Sequence, residues 1–391
     1  MFGWEFPPYS SGGLGTACYG LTKSLSKLNI GITLVLPYTT DGMEYDFVNI
    51  VPIHIKIRKI NSILSPYLNS QTYQKVKDNK HQPKIYGESL FDEVYRYSEE
   101  AKRIALEEDF DIIHCHDWMT FKAGINAKIV KNRPLVVHVH STEFDRSGGN
   151  YINQYVYEIE KEGMQFADAV IAVSNFTKNK IIKHYGINPD KIYVVHNAVD
   201  FKGHDENEKF EINKNNKVVL FLGRITLQKG PDYFLYAAKK VLDYDPNVKF
   251  IIAGSGDMEA FIIEKSAELG ISKNVLFAGF LQGNDVKRMY KMADLYVMPS
   301  VSEPFGITAL EAMKNGTPVL ISKQSGVSEV IQHCLTADFW NIDDISNNIL
   351  AALRYKTLHQ SLRENSTLEV KKFNWSVPAK KCIDIYNKLT V

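Results

Sequence analysis

The sequence predicts an α/β protein built on parallel sheets and divided into two halves of similar size. Three observations carry this. Short apolar runs rich in Val and Ile recur along the 391 residues, helix-like segments lie between them, and the series breaks once, at the polar stretch "FKGHDENEKFEINKNNK" near residues 201–217. Runs that stay apolar instead of alternating suit strands buried on both faces, and regular strand–helix alternation implies parallel layers.

Taken in order, a short N-terminal strand precedes "SSGGLGTACYG", which opens a helix running through "LTKSLSKL". The strands that follow are "ITLVLP", "DIIHCHD", "LVVHVHS", "AVIAVS" and "YVVHNAV" in the first half. "VVLFLGR", "FIIAGSG", "VLFAGF", "LYVMPS" and "PVLIS" are those of the second. Residues from about Thr39 to Leu90 are rich in Tyr, Asn and Lys with weaker periodicity, and read as an insertion or flap on the first half. Within it, "IHIKIRKINSIL" (His54 to Leu64) alternates cations with apolar residues, as a solvated edge strand does. The polar stretch near 201–217 reads as an interdomain linker.

Composition removes several classes. A formal net charge of +1 gives no global case for a nucleic-acid partner. No apolar run is long enough to span a bilayer, and "MFGWEFPPYSSGG" lacks the charged start and apolar core of a signal peptide. Cys18, Cys115, Cys334 and Cys382 are far apart in sequence and form no CxxC pair, so neither a disulfide framework nor a zinc site is expected, and a cytoplasmic location fits.

Several motifs fall at strand ends, where open α/β sheets bind ligands. Gly12, Gly13 and Gly15 permit close backbone approach at a helix N-terminus, a setting for phosphate. A tight turn without a ligand explains them equally well, and Cys18 breaks the dinucleotide pattern G-x-G-x-x-G. Gly254 and Gly256 in "AGSGDMEAF" carry the same ambiguity. In "GRITLQKG", Arg224 and Lys229 flank one loop and suit a diphosphate, the first as a planar fork and the second as a point charge. Solvated surface cations are the alternative. By the period of two, His114 and His116 share one strand face, as do His138 and His140. A hydrogen-bonded cleft or core role outweighs metal ligation, and the placement favours His140 and Asp117 as cleft residues. "SEPFGITALEAM" sets Glu303 at a strand end and Glu311 in the opening turns of a helix. Carboxylates do well beside hydroxyls, so two of them suit a ligand with two polyol parts, such as a nucleotide sugar; helix capping is the simpler reading.

Together the "GG" loop, "HCHDW", "HVHS", "GRITLQKG" and the E-x7-E element from Glu303 to Glu311 resemble, in order and over nearly the whole chain, the retaining glycosyltransferases of GT-B fold. The group is that of glycogen and starch synthases and their relatives, families 4 and 5. The resemblance implies two Rossmann-like domains with parallel sheets facing a central cleft: residues 1–200 on the acceptor side with the insertion at about 39–90, and residues 201–375 binding the nucleotide sugar. Residues 376–391 would be a C-terminal helix crossing back, carried by "NWSVPAKKCIDIYNKL". It implies that Arg224 and Lys229 hold the donor diphosphate with the Gly12–Gly13 loop. Glu303 would contact the transferred sugar, Phe305, Gly306, Ile307 and Thr308 would line the donor site, and Glu311 would hold the ribose. His140 would line the reacting centre and Asp117 the acceptor side. Catalysis would be front-face attack through an oxocarbenium-like state, the leaving diphosphate taking the acceptor's proton. No metal and no cofactor is expected, since the nucleotide sugar is a substrate.

"HCHDW" and "QKG" resemble the glycogen synthases, which implies transfer of glucose from ADP- or UDP-glucose to an α-glucan. Ser10, where bacterial glycogen synthases carry Lys, and Phe305, where they carry Cys, look more like family 4. The alternatives are accordingly a family 4 enzyme of surface polysaccharide or glycolipid synthesis and a non-catalytic glucan- or sugar-nucleotide-binding module. The complete set of donor residues argues against the latter. A dinucleotide oxidoreductase is disfavoured by the broken glycine fingerprint.

Overall fold

The computed structural model describes residues 1–7, 12–38, 55–61, 90–149, 151–200 and 216–390. The linker stretch 201–215, Ser10 and most of the 39–90 segment lie outside the described residues. The first half is built on strands β1 (Ile32–Tyr38), β2 (Ile55–Asn61), β3 (Ile113–His116), β4 (Leu135–Val139), β5 (Ala169–Ala172) and β6 (Ile192–Val194). All pairings are parallel: β1 with β2, and β3 to β6 in sequence order. Phe2 joins the two groups by bridging Val35 of β1 and Cys115 of β3. The resulting order is β2, β1, the N-terminal segment, β3, β4, β5, β6. Strand order reverses beside Phe2, so the crevice between the chain after Phe2 and the chain after β3 is the natural ligand position.

The second half contains β7 (Val218–Leu222), β8 (Lys249–Ala253), β9 (Val275–Gly279), β10 (Leu295–Met298), β11 (Val319–Ser322) and β12 (Leu335–Ala337). They form one sheet in the order β12-β11-β10-β7-β8-β9, again wholly parallel. Here the reversal lies between β7 and β10, the strands that lead into Arg224 and Glu303. The molecule therefore consists of two Rossmann-like α/β domains, as the apolar runs imply. Strands β3, β4, β5, β10 and β11 are buried along their whole length, which accounts for their lack of apolar–polar alternation; only the histidines of β3 and β4 interrupt the apolar runs.

Within the 39–90 segment, the reading of His54–Leu64 as an edge strand agrees with the structure over seven residues. Ile55–Asn61 is β2, a regular strand paired with β1 at the sheet edge. Its cations suit an edge, and Arg58 lies 2.6 Å from both Glu107 and Glu108. The helix Ser376–Leu389 packs against the helix Gly13–Lys27. Just before it, the Trp375 indole lies against Gly20, where an added Cβ would fall 2.1 Å from Trp375 Cε2. All four cysteines are free. Among the described residues no helix is long and apolar enough to cross a membrane.

Candidate active site

On the second domain the site begins where β7 ends. Arg224 and Lys229 occupy the loop into the helix Pro231–Tyr244, and both are half-buried. Lys229 Nζ lies 2.5 Å from Glu303 Oε2, to which Ser300 Oγ also donates at 3.3 Å. Glu303 is only 6% exposed, so its charge is met by Lys229 and not by water. Helix capping does not explain Glu303: the helix Ile307–Lys314 starts from Gly306 without a side-chain cap. Gly306 has φ 108°, and a Cβ there would approach Met298 Cε to 3.0 Å and Glu303 Cγ to 3.3 Å, so glycine is needed for both conformation and space.

Within that helix Thr308 Oγ1 accepts from Tyr296 OH at 2.9 Å, and Glu311 Oε2 accepts from Tyr290 OH at 3.2 Å. Desolvation raises the Glu311 carboxyl above its ordinary range, against the Tyr290 hydrogen bond and the Lys314 charge. Phe305 and Ile307 are buried and fix the start of the helix from beneath. The second glycine cluster has a structural origin. Gly254 has φ 140°, and Cβ atoms at Gly254 and Gly256 would meet the Gly223 and Ile225 carbonyl oxygens at 1.9 and 2.2 Å. These glycines let the β8 loop lie against the Arg224 loop.

The first-domain wall is made differently. Gly12 precedes the helix Gly13–Lys27 without a side-chain cap, and a Cβ on Gly12 or Gly13 would meet no described atom within 4 Å. Among the described residues, packing does not demand these glycines. Buried Glu5 holds the helix start by accepting from Gly15 N at 3.3 Å. Asp117 has φ 61° and is 2% exposed, and its Oδ1 accepts from the backbone N–H of His140 (2.7 Å) and Ser141 (3.2 Å). Burial pushes its carboxyl up to about 6, opposed by the Arg146 charge and those two N–H groups.

The two histidine pairs form one stack across β3 and β4. His114 and His116 have ring centroids 4.5 Å apart with planes at 19°, and His138 and His140 are 4.3 Å apart, also at 19°. Hydrogen bonds cross the strands from His114 Nε2 to His138 Nδ1 (3.3 Å) and from His116 Nδ1 to His140 Nε2 (3.0 Å). Tyr386 OH closes the stack on His114 Nδ1 at 2.5 Å. Burial lowers all four rings, His140 to about 3, so they are neutral at pH 7. Ring nitrogens of His114, His116 and His138 lie within 4.8 Å of one another, and Cys18 Sγ lies equally near those of His116 and His140. The cross-strand hydrogen bonds occupy the facing ring nitrogens, while the buried His116 Nε2 and His138 Nε2 have no hydrogen-bond partner among the described residues.

Side chains that the sequence did not single out tie the walls together. Asp145 Oδ1 accepts from Ser302 Oγ (2.5 Å) and from Lys180 Nζ (2.8 Å). Burial alone would raise the Asp145 carboxyl; the Lys180 charge and the hydrogen bonds outweigh it and hold it below the ordinary range. Ser174 Oγ donates to the Pro304 carbonyl at 2.6 Å. Glu329 accepts from the backbone N–H of Asn175 (2.9 Å) and Phe176 (2.6 Å), at the start of the helix Asn175–Lys180. Half-buried Arg146 donates to Ser141 Oγ at 2.8 Å and pairs with Glu143 and Glu160. The pattern Thr142-x-x-Asp145 forms a capping box and is the one sequence signal that marks Asp145.

The structure thus sets Lys229 against Glu303 and His140 against Asp117, and places Thr308 and Glu311 on one helix. Comparison with known proteins bears on what such a site does. Residues 11–202 match the family model "Glycosyltransferase Family 4", and residues 204–369 match "Glycosyl transferases group 1". An uncharacterized glycosyltransferase of Methanocaldococcus jannaschii is 31% identical over 99% of this chain and 97% of its own. The alpha-maltose-1-phosphate synthase of Mycolicibacterium smegmatis is 28% identical over 71% of this chain and 79% of its own. Glycogen synthase of Mycobacterium tuberculosis is 23% identical over 85% of this chain and 79% of its own. Among solved structures, sucrose-phosphate synthase from Thermosynechococcus elongatus superposes with a TM-score of 0.79 at 19% identity, covering 99% of this chain and 98% of that one. Anabaena HepE, in complex with UDP and glucose, gives 0.74 at 18% identity, covering 99% of both chains. The chain belongs to the family 4 glycosyltransferases, of GT-B fold.

Proposed function

We propose that the protein is a retaining hexosyltransferase that moves glucose from ADP- or UDP-glucose to a growing α-glucan. The observation that carries the donor side is the Lys229–Glu303 ion pair beside the uncapped start of the helix Ile307–Lys314. A cation and free helix N–H groups suit a diphosphate, and a carboxylate suits sugar hydroxyls. In the free protein the two charges satisfy each other. When donor binds, its diphosphate competes for Lys229 and its hexose hydroxyls compete for Glu303, so the pair opens around the scissile bond.

Arg224, Lys229 and the open Gly12–Gly13 helix start stabilise the negative charge that develops on the leaving diphosphate, which takes the acceptor's proton. Neutral His140 lines the reacting centre and Asp117 the acceptor side, with Phe305, Gly306 and Ile307 shaping the donor wall. Glu311 holds the ribose. Divalent metal is unnecessary, because the cations occupy its role.

The test is nucleotide release from a panel of ADP- and UDP-sugars, with and without glycogen, before and after exhaustive EDTA treatment. Glycogen-dependent release from a glucose donor, unchanged by EDTA, is the expected result. Release that requires a lipid-linked or other glycan acceptor would move the protein to surface-polysaccharide or glycolipid synthesis. Loss on chelation with rescue by one metal would overturn the metal-free reading.

A further inference from the structure

This inference rests on the glycosyltransfer reading and concerns how Glu303 is held relative to the acceptor wall. Asp145 is fully buried. Its Oδ2 accepts from the Thr142 backbone N–H at 2.8 Å and from Thr142 Oγ1 at 2.7 Å, which fixes the turn immediately after His140 and Ser141. Its Oδ1 accepts from Ser302 Oγ at 2.5 Å, and Lys180 Nζ reaches both Asp145 Oδ1 (2.8 Å) and Ser302 Oγ (2.7 Å). Ser302 directly precedes Glu303. Directly after it, the Pro304 carbonyl accepts from Ser174 Oγ at 2.6 Å and Thr177 Oγ1 at 3.3 Å. Both chain neighbours of Glu303 are therefore held by first-domain side chains, while its own carboxylate faces Lys229.

At the other end, the backbone of His140 and Ser141 donates to Asp117. The turn 140–142 thus hangs between two buried carboxylates, and one of them reaches the residue before Glu303. Desolvating a carboxylate and an ammonium is a cost that pairing at best offsets, so this bridge adds little stability. What it supplies is direction: three hydrogen-bonded groups admit one relative placement of the two loops.

We propose that Asp145, with Lys180 and Ser302, is a positioning device that holds the acceptor-side turn 140–142 in register with Glu303. None of the three touches donor or acceptor. Without the Ser302 hydroxyl the two loops shift independently, and the transferred sugar and the acceptor meet in a poorer geometry. Misplacement of this kind costs rate, while ground-state donor binding, carried by Lys229, Arg224 and Glu311, is retained.

Ser302→Ala tests this without stranding a buried charge, because Lys180 and Asp145 still pair. It should lower kcat roughly tenfold, leave the donor KM within about twofold, and raise the ratio of donor hydrolysis to transfer, since water needs less alignment than a sugar acceptor. Ser302→Thr, which keeps the hydroxyl, should restore all three. Asp145→Asn should act in the same direction, and the double variant should be no worse than Asp145→Asn alone, as expected of groups acting as one unit. Hydrogen exchange at His140–Thr142 should quicken in Ser302→Ala. Wild-type kcat and hydrolysis ratio in Ser302→Ala, whatever its melting temperature, would overturn the proposal, and so would unchanged exchange at 140–142. A wild-type protein inactive with every donor would sink the glycosyltransfer reading instead, and the exchange measurement would still decide whether the loops are coupled.

Discussion

The two walls of the cleft solve the same problem, placing polar groups in a poorly hydrated crevice, in opposite ways. Around its histidine stack the first-domain wall is electrically quiet; its ions, Arg146 with Glu143 and Glu160 and Lys180 with Asp145, are already paired beside it. Its four imidazoles are neutral, and its cleft carboxylate, Asp117, is satisfied by backbone N–H groups. The second-domain wall keeps full charges and pairs them across 74 residues of sequence, Lys229 with Glu303. A wall held by neutral hydrogen bonds is finished when the protein folds. On the second wall the Lys229–Glu303 pair still has something to exchange, and the proposed donor, bearing both a diphosphate and hydroxyls, would compete for each partner. The comparison predicts that substitutions on the charged wall appear mainly in kinetics, and perturbation of the neutral wall mainly in stability.

The largest expected effect is that of Lys229→Ala. On the proposed donor arrangement it removes the charge opposite the leaving diphosphate, and it leaves Glu303, nearly inaccessible to solvent, without its counter-ion. Turnover should fall by at least about a hundredfold, as for loss of one transition-state contact. Steady-state kinetics on the true donor check this, and near wild-type turnover would break the contrast between the walls.

The two glutamates sharpen it. If Glu303 contacts the transferred sugar as proposed, Glu303→Gln should chiefly lower kcat, because charge develops there. If Glu311 holds the ribose as proposed, Glu311→Gln should chiefly raise the donor KM, by about tenfold, because that contact would be the same in ground and transition states. Neither carboxylate caps its helix; Glu311→Gln should change stability by less than about 1 kcal/mol, whereas Glu303→Gln leaves Lys229 without its counter-ion and should lower stability by more. Melting temperatures measured beside both kinetic parameters separate these outcomes. Loss of stability with kinetics intact would remove both residues from the donor site, and exchanged effects would mean that the donor lies the other way round.

All ten strands expected from apolar runs are present, because a strand buried on both faces writes its burial into consecutive residues. β2 and β12 are the strands that such runs do not mark: one is a cation-bearing edge and the other is three residues long. Candidate site residues stand out in the sequence where polar side chains fall at strand ends, as at Asp117, Arg224 and Glu303. Their partners were not, since the Lys229–Glu303 pair, the Asp145–Ser302 bond and the Tyr386–His114 bond each join residues far apart in sequence. Periodicity puts His114 with His116 and His138 with His140, but only the β3–β4 register, His116 opposite His138, merges them into one stack. The Gly12 and Gly254 loops look alike in sequence. Among the described residues, neighbouring carbonyls separate them, crowding the second and not the first.

The smallest effect expected concerns the quiet wall and pH. The four rings are held below the ordinary histidine range by burial, so their neutral form is favoured in the fold. Their unfolded counterparts take up protons near pH 6.5, so this part of the stability is complete above that value and is lost as pH falls through it. Asp117, raised by burial to about 6, and Glu160, raised by burial to about 7, work the other way, since the folded protein protonates them first. Four rings against two carboxyls leave a net uptake of about two protons on unfolding near pH 5 and a smaller one above it. Stability should therefore drop by about 1 kcal/mol between pH 7 and pH 6, and more steeply below. Denaturant titrations at the two pH values, at constant ionic strength, measure it. Stability that rises on acidification over this interval would show that the rings are not held neutral, and the contrast between a finished wall and a waiting one would fail on its quiet side.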